Sequence, residues 1–212
     1  QIEFIPGPLR PGQELTLDVG TAGSVTLLLQ SLLPCLAVAR GERRLTLRGG
    51  TNVPFSPPVE YMRDVLCPAL NEMGIDVEIE LPRRGFYPRG GGEARVKVRA
   101  EGPLRPTVRM ERGAMRGIRG LVYSCQLPGH VAQRIATTAA ARLKRAGCSV
   151  SIEQDLDRPA AGPGCGIALV AGFERSALGA GSLGELRKPA EKVGEEAADR
   201  LVEEIESGAP VD

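Results

Sequence analysis

Asp18-Val19-Gly20-Thr21-Ala22-Gly23-Ser24-Val25-Thr26-Leu27-Leu28-Leu29-Gln30 joins a glycine-rich turn to an apolar helix that carries one glutamine. Gly20, Thr21 and Gly23 supply turn and cap character. A helix is predicted over 24–39, and Gly41 stops it. Val25, Leu27, Leu28, Leu29, Leu32, Leu33, Leu36 and Val38 make it apolar nearly all round, which predicts burial on most faces. Pro34 predicts a kink or one loosened turn, and Cys35, inside the apolar run, reads as a small buried hydrophobe. Gln30 is the odd residue. A buried amide left without a partner costs ~1–3 kcal/mol. Gln30 therefore either meets a backbone group or solvent, or reaches a ligand at the open end of a sheet, and the residues alone leave these even. A turn rich in Gly, Thr and Ser ahead of a helix offers backbone N–H groups and a positive dipole end to phosphate. The same residues make an ordinary well-capped turn. With no Walker-type lysine following, the ordinary reading is preferred.

Working outward, strands are predicted over 2–5 and 14–19, separated by a Pro/Gly turn at 6–12. Residues 44–48 alternate polar and apolar, as a half-buried strand does. A second helix is expected to start near Pro57, with Ser56 as N-cap, and to end at Gly74. Residues 76–81 and 93–98 alternate again and predict strands with one wet face. This order fits two helices packed on one face of a sheet. A proline-marked junction follows at 102–106. Beyond it, strands are predicted over 117–126, 148–153 and 166–171. Helices are predicted over 129–146 and 189–207, the latter with Val193, Ala197, Leu201 and Ile205 on one stripe. Residues 157–164, rich in Pro and Gly, read as a mobile loop. The expected class is α+β, with units at 1–110 and 111–207.

The 212 residues suffice for one or two domains with a real core. Lys and Arg number 27 against 26 Asp and Glu, a net charge of +1, so no global electrostatic case for nucleic-acid binding exists; a local basic surface stays open. Four Phe, three Tyr and no Trp argue against broad stacking platforms. The five cysteines are scattered without a C-x-x-C pair, against zinc or a disulfide framework. They suit a reducing compartment, the cytoplasm or a eukaryotic nucleoplasm. No apolar run approaches the ~18 residues of a membrane span, and no signal peptide is visible. The chain opens on Gln1 without a methionine, so the true N-terminus is not on display.

Two further segments carry chemistry. In 49–61, Gly49 and Gly50 allow close backbone approach, Pro57 and Pro58 make a rigid apolar wall, and Tyr61 lies one helical turn on. An adenine ring fits such a wall; a helix start with a hydrophobic staple has the same residues. In 85–93, Arg83, Arg84 and Arg89 are open as RNA phosphate contacts, with Phe86 or Tyr87 stacking on a base. The glycines there read instead as a tight hairpin. His130, the single histidine, stands at a helix start, where the dipole disfavours its imidazolium, and reads as structural or surface. Glu195 with Glu196 and Glu203 with Glu204 read as a solvated face. No metal cluster stands out in the sequence.

Segments 18–30, 49–61 and 85–93, in this order and spacing, resemble the RNA 3′-terminal phosphate cyclase family. The resemblance spans the chain and is looser from 113 to 207, including Gly181-Ser182-Leu183-Gly184 and Ala190-Glu191-Lys192-Val193-Gly194. It implies a main domain of three repeats, each like the C-terminal domain of bacterial translation initiation factor three, a two-helix, four-stranded-sheet unit. Residues 1–110 would be chiefly the middle repeat, 111–207 the inserted smaller α+β domain, and 208–212 the start of the return. Gln30 matches the family's nucleotide-binding glutamine, Pro57 the proline that lines its adenine pocket, and Tyr61 a second adenine contact. The implied reaction uses ATP, a divalent metal (Mg or Mn) and RNA with a 3′-phosphate. A histidine takes AMP, AMP passes to the RNA 3′-phosphate, and the 2′-hydroxyl then closes a 2′,3′-cyclic end and expels AMP. The family's histidine lies beyond residue 212, so no residue here is expected to be catalytic. With the first repeat's metal-binding acid also absent, the chain alone is expected to be inactive. The rivals are a cyclase-like ribosome-biogenesis protein without the reaction, disfavoured by Gln30 and 49–52, and an RNA- or protein-binding module. No membrane partner is implied, and the oligomeric state stays open.

Overall fold

The computed structural model describes residues 14–211 together with Glu3, Ile5 and Gly7. The strand predicted over 2–5 and the turn over 6–12 fall, those three residues apart, outside the described residues. The first unit holds β1 (Glu14–Asp18), α1 (Val25–Ala39), β2 (Gly41–Gly49), α2, β3 (Ile75–Arg83) and β4 (Gly92–Ala100). Helix α2 runs Val59–Tyr61, passes through a π-helical turn at Met62–Leu66 and continues over Cys67–Glu72. The second unit holds β5 (Met115–Cys125), α3 (Gly129–Arg145), β6 (Val150–Asp155), β7 (Gly164–Phe173), β8 (Ala177–Leu183) and α4 (Ala190–Ser207). The sheet orders are β1-β2-β4-β3 and β6-β5-β7-β8. Each sheet starts from a parallel pair spanned by a helix, β1 with β2 across α1 and β5 with β6 across α3; the remaining pairs are antiparallel. The expected α+β class holds.

Helix α1 starts at Val25, one residue later than expected, and Ser24 is its cap, the hydroxyl accepting the Leu27 N–H at 3.2 Å. Burial on most faces does not hold. Val25, Leu29, Leu33 and Leu36 are buried at helical spacing, while Leu27, Gln30, Pro34, Cys35 and Val38 are exposed. A helix lying on one sheet has one side to bury, and an all-apolar composition cannot show which. Cys35 is thus exposed, not a core residue. The cap of α2 also differs from expectation. Pro58 occupies the cap position, and the Ser56 hydroxyl turns back to donate to the Val53 carbonyl at 3.1 Å. Pro68 has no N–H to give the Asp64 carbonyl and its ring crowds that oxygen, which accounts for the widened π turn just before it. Gly74, at φ +90°, ends the helix where predicted.

Two cores result. Leu45, Leu47, Val77, Val96 and Val98 pack under α1 and α2. Ile118, Val122, Ile167, Leu169 and Leu178 pack under α3 and α4, around Ile135, Leu143, Val193 and Leu201. A small third cluster joins Phe86 to Tyr123 and Cys125. Strand β8 has no counterpart in the sequence prediction. The predicted loop at 157–164 packs against the first unit: the Arg84 N–H donates to the Pro159 carbonyl at 2.8 Å, and Arg89 donates to the Ala161 carbonyl at 3.3 Å.

Candidate functional site

The three glycine-bearing segments meet at one end of the first sheet. The Gly50 N–H donates to the Gly23 carbonyl at 2.8 Å, and the Val25 N–H to the Gly50 carbonyl at 2.9 Å. The Thr51 N–H donates to the Gly85 carbonyl at 2.9 Å, and the Gly85 N–H returns to the Thr51 hydroxyl at 3.0 Å. A Cβ on Gly50 would stand 2.4 Å from the Ala22 carbonyl oxygen, and one on Gly90 would stand 2.5 Å from that of Thr21. The glycines are there so that backbone can lie on backbone. Two donors of the turn at 20–24 are met locally: Asp18 accepts the Gly20 N–H at 2.7 Å, and the Thr21 hydroxyl accepts the Gly23 N–H at 3.1 Å. A carboxylate, Asp18, stands at the mouth of this turn.

Beneath this knot lies a buried ionic cluster that the sequence reading did not find. Arg84 and Glu60 are both 1% exposed and bonded at 2.5 Å. Arg84 also donates to Asn52 at 3.2 Å and to Asp155, at the end of β6, at 2.8 Å. Its guanidinium stands 4.2 Å over the Tyr123 ring. The Asn52 amide donates to the other Glu60 oxygen at 2.7 Å, and Arg158 donates to Asp155 at 2.7 Å. Burial works against the Arg84 charge, but Glu60 and Asp155 hold its pKa above the ordinary arginine value. Burial likewise opposes the Asp155 charge, yet the bonds from Arg158 and Arg84 leave its pKa below the ordinary value. Burial, then the Glu60 charge, pushes the Tyr123 phenol well up. Such a cluster locks elements together; it presents no free nucleophile. Arg84 and Phe86 are therefore closed to RNA, contrary to the openness their sequence suggested. Phe86 is 6% exposed and lies where a Cβ on Gly164 would be, 2.2 Å away. Arg83, Tyr87 and Arg89 remain exposed. A glutamate and an arginine 24 positions apart carry no local signal of pairing.

The predicted nucleotide residues fall beside this knot. Gln30 lies one helical turn beyond Thr26 on α1 and is exposed. The Thr26 hydroxyl donates to the Pro57 carbonyl at 2.7 Å, tying the proline wall to α1. Pro57 is half-buried. Tyr61, also half-buried, has its ring edge against β8, 2.8 Å from where a Gly179 Cβ would stand. His130 is exposed at the start of α3. Among the described residues, no group of three or more His, Cys, Asp and Glu is placed to hold a metal, and no helix is long and apolar enough to cross a membrane. A cleft of about 950 Å³ opens on the far side of the 85–92 loop, walled by Phe86, Pro88, Leu127, Val131, Leu183 and Val193.

The sequence profile of RNA 3′-terminal phosphate cyclase matches residues 1–205. Proteins of that name from Ignicoccus hospitalis and Caldivirga maquilingensis are each 46% identical over the whole chain, and one from Trichormus variabilis is 42% identical. The chain spans 61% of the length of the first two relatives and 62% of the third. By this match across its length, the chain belongs to the RNA 3′-terminal phosphate cyclase family.

Proposed function

We propose that this chain serves the ATP-dependent conversion of an RNA 3′-terminal phosphate to a 2′,3′-cyclic phosphodiester, and that it contributes to the nucleotide side of the site. The observation that carries this reading is the identity of 41–46% over the whole chain with relatives named for that activity. The residues fit a purine nucleotide. Gln30 offers donors and an acceptor on an exposed amide, suited to a base edge. Pro57, fixed by Thr26, offers a rigid apolar edge for the ring. Tyr61, steadied by β8, forms the back of that wall. ATP, assisted by Mg or Mn, would supply the adenylyl group that activates the RNA 3′-phosphate; this chain's residues would bind and orient it. No residue here takes the covalent role, and His130 is not assigned one. We also propose that 1–110 and 111–207 are separate domains, a reading their two cores support.

Titration of the chain with a fluorescent ATP analogue tests the assignment. Gln30→Ala should weaken binding about tenfold, with an unchanged far-UV spectrum. Equal affinity in the two proteins would remove Gln30 from the site. Incubation with α-labelled ATP and a divalent metal should leave no AMP on the chain. Stoichiometric labelling lost in His130→Ala would overturn the role withheld from that residue.

A further inference from the structure

The cleft beyond the 85–92 loop has a distinctive chemistry. Its rim carries Arg89, Arg134, Arg187 and Lys188 against one acid, Glu185. Arg134 is paired with Glu191 at 2.5 Å and Lys188 with Glu196 at 2.5 Å. Arg89 and Arg187 have no carboxylate partner among the described residues. The Tyr87 ring is 70% exposed at the mouth, and Leu186 is 93% exposed beside Arg187. The floor is apolar.

Two helices start at this cleft. Arg134 pairs with Glu191 and Arg142 with Asp199, the same offset both times, so α3 and α4 run parallel. Val131 and Arg134 from the first turns of α3, and Ala190 and Val193 from those of α4, line the cleft. Pro128 and Pro189 precede them, and neither start has a side-chain cap. Both positive dipole ends face the same place as Arg89 and Arg187, whose charges no carboxylate among the described residues meets, while Glu191 in the first turn of α4 is taken up by Arg134. An occupant of matching chemistry is anionic along its length and has flat apolar faces to lay on Tyr87 and the floor. A single-stranded nucleic acid has both; a duplex hides its base faces. An apolar peptide would leave Arg89 and Arg187 unanswered.

We propose that this cleft holds a single-stranded segment of the RNA whose 3′ end is processed. The assignment rests on the RNA reading given above. The cleft adjoins the knot of glycine turns, because Asn52 belongs to both and the 85–92 loop is their shared wall, with Gly90 seated on Thr21 and Ala22. Tyr87 stacks on a base, and Arg89 and Arg187 meet phosphates.

Fluorescence anisotropy with a short labelled RNA carrying a 3′-phosphate, single-stranded or as a blunt duplex, tests this on the chain as it stands. The single strand should bind more tightly than the duplex. Tyr87→Ala and Arg187→Gln should each weaken it about tenfold. Arg187→Gln should also reduce the salt slope by ~0.7, one phosphate contact of a single strand. Arg95→Ala, on the outer face of the first sheet, should change nothing. Photocrosslinks from 4-thiouridine RNA should map to 86–89 or 185–188. These side chains are exposed, so the variants should keep the wild-type far-UV spectrum. Absence of RNA binding, binding indifferent to both cleft variants, or crosslinks confined to the outer face of the first sheet would overturn the proposal. So would an apolar peptide that occupies the cleft while RNA does not compete. The nucleotide assignment fails separately: Gln30→Ala should lower ATP affinity and leave RNA affinity intact, and the cleft variants should do the reverse.

Discussion

The two sheets share a plan, a parallel pair with its helix followed by antiparallel strands, yet they write it differently in sequence. In the first sheet, β2 and β4 alternate buried and exposed residues along their length. The outer face of that sheet is a lattice of exposed ion pairs, such as Arg48 with Glu93 at 3.3 Å and Arg99 with Asp76 at 2.8 Å. In the second sheet, β7 is buried from Cys165 to Ala171 without interruption, and β8 reads Ala-Leu-Gly-Ala-Gly-Ser-Leu. The cause is cover. Helices α3 and α4 lie on one face of the second sheet, while Tyr61 and Val65 of α2 press on β8 from the other. Period-two alternation therefore reports that one face is wet; it does not report that a strand exists.

That difference is held in place by the buried cluster, and the largest expected effect comes from breaking it. Glu60→Ala leaves the Arg84 guanidinium short of its closest partner in a site that water does not reach. The loss should be about 3–5 kcal/mol in denaturant unfolding. Arg95→Ala, in the exposed lattice, should cost less than about 1 kcal/mol. Equal effects would mean that the two units do not lean on the cluster.

The contrast also explains what the sequence made legible. Strands β1 to β4, α1 and the end of α2 at Gly74 stand out because alternation, an apolar run and glycine stops are local signals. The exposed stripe of α1 is not local: only the sheet beneath decides that Leu29 is buried and Leu27 is not. Strand β8 is illegible because close approach selects small residues, which carry no period. At the candidate site, the glycine segments are visible, but their service to one another is not. A Gly-Thr-Ala-Gly-Ser turn looks the same whether it cradles phosphate or receives Gly49 and Gly50. The Arg84–Glu60–Asp155 cluster joins residues from three distant segments, and no window of sequence contains it.

The close approach at β8 gives a sharper and smaller test. Gly179→Ala places a Cβ 2.8 Å from the Tyr61 ring and from Val65, so α2 or β8 must shift. The expected cost is about 1–3 kcal/mol. Gly172→Ala is the control in the adjacent strand, where the nearest atom to the new Cβ is the Gly117 carbonyl oxygen at 3.9 Å. That change should be neutral or stabilising by up to about 1 kcal/mol, through lost freedom in the unfolded chain. Matching losses at both sites would show that glycine in the second sheet reflects something other than pressure from the first unit.

The smallest expected effect concerns the acid that ties β6 to the first unit. Asp155 accepts from Arg84 at 2.8 Å and from Arg158 at 2.7 Å, and these bonds hold its pKa below the ordinary value despite burial. The sign follows from linkage. The folded state binds the proton less readily than the unfolded one, so the stabilisation is complete above the unfolded value of about 3.9 and fades as pH falls through the lower folded value. Asn keeps one acceptor oxygen, so Asp155→Asn should lower stability at neutral pH by about 1–2 kcal/mol, less than the full worth of the charged hydrogen bonds. The gap to wild type should stay open at pH 5 and close on further acidification. Asp76→Asn, in the exposed lattice, should show less than about 1 kcal/mol at neutral pH. A gap for Asp155→Asn that persists unchanged to the acid limit would mean that shape, not charge, makes this residue the bolt between the sheets.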